Sequence, residues 1–175
     1  REELLSYIKA GTDDRIFAVA QLLRLGCNVQ QIAFETKIDG FFLEKMKKII
    51  EMENMLKANP WNRDVLHEAK RGGFSDRAVA WLWNTDEDTV FRIRKEMHLF
   101  PVYKMIDTCA SEFDSYVPYF YSTYEEENES IAEDRKKILV LGSGPIRIGQ
   151  GVEFDYSTVH AVKTIRNAGY EAIVI

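Results

Sequence analysis

Apolar residues recur every three or four positions through the first hundred residues, as they do along one side of an α-helix. In residues 13–26, Ile16, Val19, Ala20 and Leu23 fall at this spacing. In residues 39–59, the predicted apolar stripe is formed by Phe42, Met46, Ile49, Met52 and Leu56. No strand-like alternation of apolar and polar residues interrupts this region, so the pattern predicts an all-helical domain.

Polar residues that can cap helix N-termini precede these apolar stretches. The candidate caps are Thr12, Asn28, Asn62, Ser75 and Thr85, and the longest helix is predicted to run from Asp39. Gly26 and Pro60 fall where two of the helices should end. The sequence therefore predicts short, separately capped helices from residue 1 to about residue 100.

An internal repeat lies within this region, at an offset of 73 − 26 = 47 residues. The matched pairs are Gly26 with Gly73, Asn28 with Ser75, Ile32 with Val79, Ala33 with Ala80, and Asp39 with Asp86. Each copy predicts a short helix, a tight turn and a longer helix. This order is the outline of a helix-turn-helix motif.

A DNA-binding module is therefore an alternative hypothesis, because a recognition helix presents basic side chains to bases and phosphates. The candidates are Lys45, Lys47 and Lys48 in the first copy, and Arg92, Arg94 and Lys95 in the second. The same residues also fit the solvent faces of amphipathic helices, and the second helix of each copy begins with an acidic residue. Packing of the repeat is the explanation that we favour.

Residues 100–125, which we call the belt, differ from the helical region in composition and in hydrophobic pattern. They contain two prolines and no steady period, and four tyrosines lie between Tyr116 and Tyr124. The pattern predicts an extended aromatic segment that lies across other surfaces. The acidic residues 126–135 that follow predict a linker.

The last stretch predicts a strand, a glycine-rich turn, a helix and a second strand. The strands are "KKILVLG" and "YEAIVI", and the helix is "STVHAVKTIRNAG". Val159, Ala161, Val162 and Ile165 give the helix an apolar side for a sheet. We expect a right-handed parallel βαβ unit, truncated because a parallel sheet normally has more strands.

The turn "GSGPIRIGQGVEFD" resembles a phosphate-binding loop only in part. Gly142 and Gly144 match the first two glycines of a dinucleotide fingerprint, but Arg147 stands at the third position. A dinucleotide-binding domain thus remains open, and it predicts that a cofactor protects the chain against heat. The alternative is that small residues let the loop pass close to a neighbouring backbone.

Composition narrows the classes further. The chain has 175 residues, 46% of them hydrophobic, and a formal net charge of −5 that does not favour nucleic acid or anionic membranes. No apolar run is long enough to span a bilayer, and we identify no signal peptide. The first residue is not Met, so we expect a piece of a longer chain. Cys27 and Cys109 are expected to be reduced, and His67, His98 and His160 lack metal-ligand spacing.

Two segments together carry a resemblance to a known family. They are "PVYKMIDTCASEFDSYVPYFYSTYEEENE" and "ILVLGSGPIRIGQGVEFDYSTVHAVKTIRNAGYEAIVI". In this order and spacing they closely resemble the large subunit of carbamoyl phosphate synthase. "DRIFAVAQLLRLG", "FSDRAVAWLW" and "HLFPVYK" also resemble the oligomerisation domain of that family.

The resemblance implies three regions. Residues 1–125 would form the helical oligomerisation domain including the belt, residues 126–135 the acidic linker, and residues 136–175 the start of a Rossmann-like pre-ATP-grasp domain. The fold class expected is therefore mainly α, with a helix-turn-helix-like repeat, an extended aromatic linker and a truncated βαβ unit.

The resemblance also implies a function for the full enzyme. It is a cytoplasmic, allosteric ligase that makes carbamoyl phosphate from bicarbonate, ammonia and two ATP, for arginine and pyrimidine synthesis. Its small glutaminase subunit supplies ammonia from glutamine, and its cofactors are Mg²⁺-ATP (or Mn²⁺) and K⁺. This chain would be a non-catalytic scaffold that joins the two synthetase halves and contributes to self-association, without a cofactor, nucleic acid or membrane of its own.

In the family, ATP is held by the ATP-grasp domain, and the "GQGVEFD" turn lies beside a tunnel that carries intermediates. Gly151 and Glu153 are the positions that the resemblance places along this tunnel. Without a side chain, Gly151 would keep the passage open, and the Glu153 carboxylate would orient polar intermediates. Glu153 also fits a helix N-terminus, where the helix dipole favours an anion, and both roles stay open. We assign no catalytic, cofactor-binding or metal-binding residue.

Overall fold

The computed structural model of the chain describes residues 1–107, 109–110, 112–113, 119–131, 134–142 and 153–175, with the backbone alone for residues 153–155. Two compact units divide these residues, Arg1–Ser130 and Ile131–Ile175. Each unit has its own secondary structure, and the two are described separately.

The first unit is mainly helical, as predicted. Its helices are α1 (Glu2–Tyr7), which continues into a 3-10 turn (Ile8–Ala10), α2 (Arg15–Arg24), α3 (Val29–Thr36), α4 (Gly40–Ala58), α5 (Arg63–Arg71), α6 (Asp76–Trp83) and α7 (Glu87–Glu96). Two strands within the belt follow them, β1 (Val102–Met105) and β2 (Phe120–Thr123). The predicted fold class is confirmed for this unit.

The internal repeat is confirmed and is longer than the sequence suggested. Adding 47 to the bounds of α3 gives the bounds of α6, and the same offset takes the start of α4 to the start of α7. Lys37 and Asn84, also 47 residues apart, both adopt the left-handed conformation that ends a helix. Helices α2 and α5 precede the two motifs at nearly the same offset. The unit thus contains two copies of a three-helix motif, α2–α4 and α5–α7.

Three of the five predicted caps are confirmed, namely Asn28, Asn62 and Ser75, whose side chains accept backbone N–H groups. Asp39, the predicted start of the longest helix, caps α4 in the same way. Thr85 is wrong, because its backbone N–H donates to Ala80 O at 2.9 Å and so belongs to the end of α6. Asp86 caps α7 instead, accepting from Thr89 N at 2.8 Å. Thr12 is wrong as well, since α2 begins after Asp14.

Two apolar cores lie in the first unit, one for each copy. The first contains Ile8, Ala18, Val19, Leu22, Leu23, Cys27, Val29, Ile32, Leu43 and Ile50. The second contains Leu56, Leu66, Ala69, Val79, Ala80, Trp83, Val90 and Leu99. Helix α4 contributes to both, and the Trp83 indole N–H donates to its Leu56 carbonyl at 2.9 Å. This helix therefore connects the two cores.

The predicted apolar stripe of α4 is wrong at Phe42 and Ile49, whereas Met46 packs against the first core and Met52 against the second, as predicted. Phe42 and Ile49 are 61% and 50% exposed, and the adjacent Leu43 and Ile50 are buried. Leu56 is buried as predicted. Because the helix packs on two different cores, its buried side changes along its length, which a single straight stripe does not capture.

The belt contains an antiparallel strand pair that the sequence did not predict. Val102 pairs with Thr123 and Met105 pairs with Phe120. Residues beyond the belt continue this structure, since Glu129 N donates to Tyr103 O and Tyr103 N donates to the Asn128 side chain, both at 2.9 Å. The start of the acidic stretch is therefore bonded to β1.

The second unit confirms the predicted βαβ order. It contains β3 (Lys137–Val140), α8 (Glu153–Asn167) and β4 (Glu171–Val174), and the strands are parallel, with Lys137 opposite Glu171. The side chains of this pair form an ion pair of 3.1 Å. Helix α8 begins four residues before the predicted start at Ser157.

Candidate functional site

The two residues proposed for the tunnel cannot be placed as side chains. Gly151 lies outside the described residues, as do Gly144 and Arg147. Glu153 is the first residue of α8, and its backbone alone is described. Its position agrees with a helix N-terminus, so both roles considered for Glu153 remain predictions.

Gly142 does lie among the described residues, at the carboxyl end of β3. Its N–H donates to Ile175 O at 2.6 Å, and Ile175 N donates to Val140 O at 3.0 Å. A Cβ atom on Gly142 would stand 3.1 Å from Ile175 O and 3.3 Å from a methyl group of Val174. This glycine therefore allows two backbones to pair closely, which is the structural explanation that the sequence left open.

The basic residues considered for DNA contact have other partners in several cases. Arg94 is buried and bonds to Asp76 at 2.9 Å, so it cannot reach a base edge. Lys47 pairs with Glu51 at 3.7 Å, and Lys45 lies 5.0 Å from the centre of the Phe41 ring. Because Arg94 is buried, it is excluded as a DNA-recognition residue.

A buried ion triad occupies the second copy of the repeat. Asp76 accepts from Lys70 Nζ at 2.8 Å and from two nitrogens of Arg94, the shorter bond being 2.9 Å. The three side chains are only 7% (Lys70), 12% (Asp76) and 8% (Arg94) exposed. Burial alone would raise the pKa of Asp76, but the hydrogen bonds from Arg94 and Lys70 outweigh it and lower that pKa. Arg94 also donates to Leu99 O at 2.9 Å, which fixes the chain after α7.

The end of the belt lies on this triad. Lys70 Nζ is 5.1 Å and Arg94 Cζ is 5.6 Å from the centre of the Tyr124 ring, both within cation–π range. His67 Nε2 donates to the Tyr124 carbonyl oxygen at 3.2 Å. Burial raises the pKa of the Tyr124 hydroxyl, although the Arg94 cation acts in the opposite direction. Sequence reasoning missed this arrangement. The offset of 47 residues matches Lys70 and Asp76 with Leu23 and Val29, which was a signal for the triad but not for the contact with Tyr124.

Large apolar side chains are exposed on the first copy. They include Phe17 on α2, Phe34 on α3, and Phe41, Phe42 and Ile49 on α4. Contiguous exposed apolar groups often mark contact surfaces, and Phe41 and Phe42 are adjacent, with ring centres 5.4 Å apart. In the described part of the chain, no helix is both long enough and apolar enough to cross a bilayer.

Two family models match the chain. One, described as the oligomerisation domain of the carbamoyl-phosphate synthetase large chain, matches residues 1–98. The other, described as the carbamoyl phosphate synthase preATP-grasp domain, matches residues 134–175. The first covers helices α1 to α7 with both copies of the repeat, and the second covers the βαβ unit, which contains α8.

Proposed function

The chain belongs to the carbamoyl-phosphate synthetase large-chain family, whose enzyme is a ligase, and we propose that the chain acts as its non-catalytic scaffold. In this role the helical unit mediates self-association of large subunits, and the belt leads from it into the next domain. The observation that carries the proposal is the order of the two matched domains on one chain.

A comparison of the two repeat copies supports self-association through α4. The first copy carries exposed Phe41, Phe42 and Ile49 on its longer helix. At the same repeat positions the second copy carries Asp88, Thr89 and Glu96. Helix α7, the counterpart of α4 in the second copy, forms with polar residues at these positions. Folding of the motif therefore does not require the exposed apolar groups. A partner surface is the better explanation, and the partner that we propose is a second copy of this chain.

Sedimentation velocity of the 175-residue chain tests this proposal. The double variant Phe41→Asp, Phe42→Thr transfers the residues of the second copy to the first, so it should keep the helical circular dichroism spectrum. We expect its self-association to weaken at least tenfold, because the change removes about 2–4 kcal/mol of apolar contact. The matched control is Asp88→Asn, Thr89→Ser, which changes the same positions of the second copy and should leave association unchanged. Equal sedimentation of wild type and double variant at all concentrations would reject α4 as the surface.

The full enzyme is proposed to be the glutamine-hydrolysing type. In this proposal a small glutaminase subunit supplies ammonia, two Mg²⁺-ATP (or Mn²⁺) are used with K⁺, and the product serves arginine and pyrimidine synthesis in the cytoplasm. The tunnel role of Gly151 and Glu153 is part of the same proposal. We expect the isolated 175-residue chain to show no bicarbonate-dependent ATP hydrolysis. Turnover that follows the purified chain through gel filtration would contradict the scaffold role.

A further inference from the structure

The two repeat copies differ in chemistry at three matched positions. The pairs, each 47 residues apart, are Leu23 with Lys70, Val29 with Asp76, and Lys47 with Arg94. In the first copy Leu23 and Val29 are buried in the apolar core. In the second copy Lys70 and Asp76 form a buried ion pair of 2.8 Å. The same fold is therefore built once with an apolar contact and once with buried charges.

Folding of the motif does not require the Lys70–Asp76 pair, because the first copy folds with Leu23 and Val29 at those positions. Replacing a buried ion pair by packed apolar residues is often neutral or stabilising. The triad also contains two cations and one anion, so one positive charge is left over in a buried place. A buried net charge is unfavourable unless another group stabilises it.

The ring of Tyr124 faces both cations of the triad, whereas the ring of Phe91, with its centre 5.2 Å from Arg94 Cζ, faces Arg94 from its own helix. Both cations lie within 6 Å of the Tyr124 ring centre, and the negative face of an aromatic ring attracts cations. His67 holds the backbone of the same residue through its carbonyl oxygen. Tyr124 directly follows β2, so a contact at this ring fixes the end of the belt.

We propose that the ion triad of Lys70, Asp76 and Arg94 is the binding site for the tyrosine-bearing end of the belt. Its function is to hold the chain where it leaves the helical unit, and the second copy carries charges in place of an apolar contact for this purpose. The proposal concerns contacts within the first unit and does not depend on the enzyme assignment.

Hydrogen exchange of residues 119–129 in the full chain tests the ring contact. Tyr124→Leu keeps much of the apolar area but removes the π face, and it should accelerate exchange of these amides roughly tenfold. Tyr124→Phe keeps the face and should exchange at close to the wild-type rate. Tyr121→Leu is the control, because Tyr121 lies on β2, three positions before Tyr124, and its side chain is exposed. Wild-type exchange in Tyr124→Leu would overturn the proposal.

A second variant tests the triad itself. The triple change Lys70→Leu, Asp76→Val, Arg94→Met replaces all three charges by apolar residues, and the first two changes introduce the residues of the first copy. The helical unit should stay at least as stable, and exchange of residues 119–129 should accelerate as it does in Tyr124→Leu. Adding Tyr124→Leu to this background should then have little further effect, because the two changes remove the same interaction. A triple variant that keeps wild-type exchange in the belt would overturn the proposal. If the triple variant does not fold, the comparison of Tyr124→Leu with Tyr124→Phe still decides.

Discussion

Among the residues that the structure describes, Asp76 is the one carboxylate paired with the buried cations Lys70 and Arg94, and its replacement should be costly. Asp76→Asn keeps the size of the side chain but leaves two buried cations without an anion. We expect a loss of about 3–5 kcal/mol in the free energy of unfolding at neutral pH, as for other broken buried ion pairs. Urea unfolding followed by circular dichroism measures the loss. Asp64→Asn is the control, because the Asp64 side chain is almost fully exposed.

The contribution of Asp76 should also depend on pH, with a definite sign. Its pKa is lower in the folded chain than the ordinary value of 3.8, so its ionised form stabilises the fold above that value. The stabilisation is lost as the pH falls through the lower folded pKa. The difference in unfolding free energy between wild type and Asp76→Asn should therefore be constant from about pH 7 to about pH 5 and shrink below about pH 4. A difference that grows on acidification would show that Asp76 does not titrate in this way.

At the scale of elements, α4 offers a direct comparison between an apolar residue in a core and one at the surface. Leu56→Ala opens a cavity in the second core and should cost about 2–5 kcal/mol. Phe42→Ala removes an exposed ring and should change the free energy of unfolding by less than about 0.5 kcal/mol in dilute, monomeric protein. Urea unfolding of both variants provides the measurement. Similar losses for the two would mean that α4 has the single apolar stripe that its sequence suggests.

Much of the helical order follows from the sequence, because it depends on neighbouring residues. Asn28 and Ser75 cap helices through bonds to amides two or three residues away, and the sequence alone indicated both. Thr85 failed because a competing bond to Ala80 O ends the preceding helix at that residue. The predicted burial of Phe42 was wrong for a different reason, since burial depends on which core α4 faces at that point. Local chemistry was therefore predictable, and the direction of a side chain within the fold was not.

At the scale of the whole molecule, the division into a helical part and a βαβ part could be predicted from the hydrophobic pattern and the family resemblance. The pairing of β1 with β2 could not, because it joins residues such as Val102 and Thr123 across a segment with no steady period. The Tyr124 contact was equally hidden, since its partners Lys70 and Arg94 lie 54 and 30 positions earlier in the chain. The tunnel role of Gly151 and Glu153 rests on the resemblance alone, because the structure describes the side chain of neither residue.

Because α4 contributes to both cores, the two repeat copies are expected to unfold together. All three tryptophans, Trp61, Trp81 and Trp83, follow the first copy in the chain, so their fluorescence reports mainly on the second core. Leu22→Ala removes about 2–5 kcal/mol from the first core only. Because α4 contributes Leu43 and Ile50 to one core and Leu56 to the other, we expect unfolding of one copy to destabilise its neighbour.

Leu22→Ala should therefore lower the urea midpoint seen by tryptophan fluorescence as much as the midpoint seen by far-ultraviolet circular dichroism. Ala69→Gly, at the matched position in the second core, is the companion variant, and it should also shift both midpoints together. If the fluorescence midpoint stays at its wild-type value while the dichroism transition splits in two, the copies unfold independently. In that case α4 would connect the two cores without coupling their stabilities, and the repeat would behave as two separate folding units.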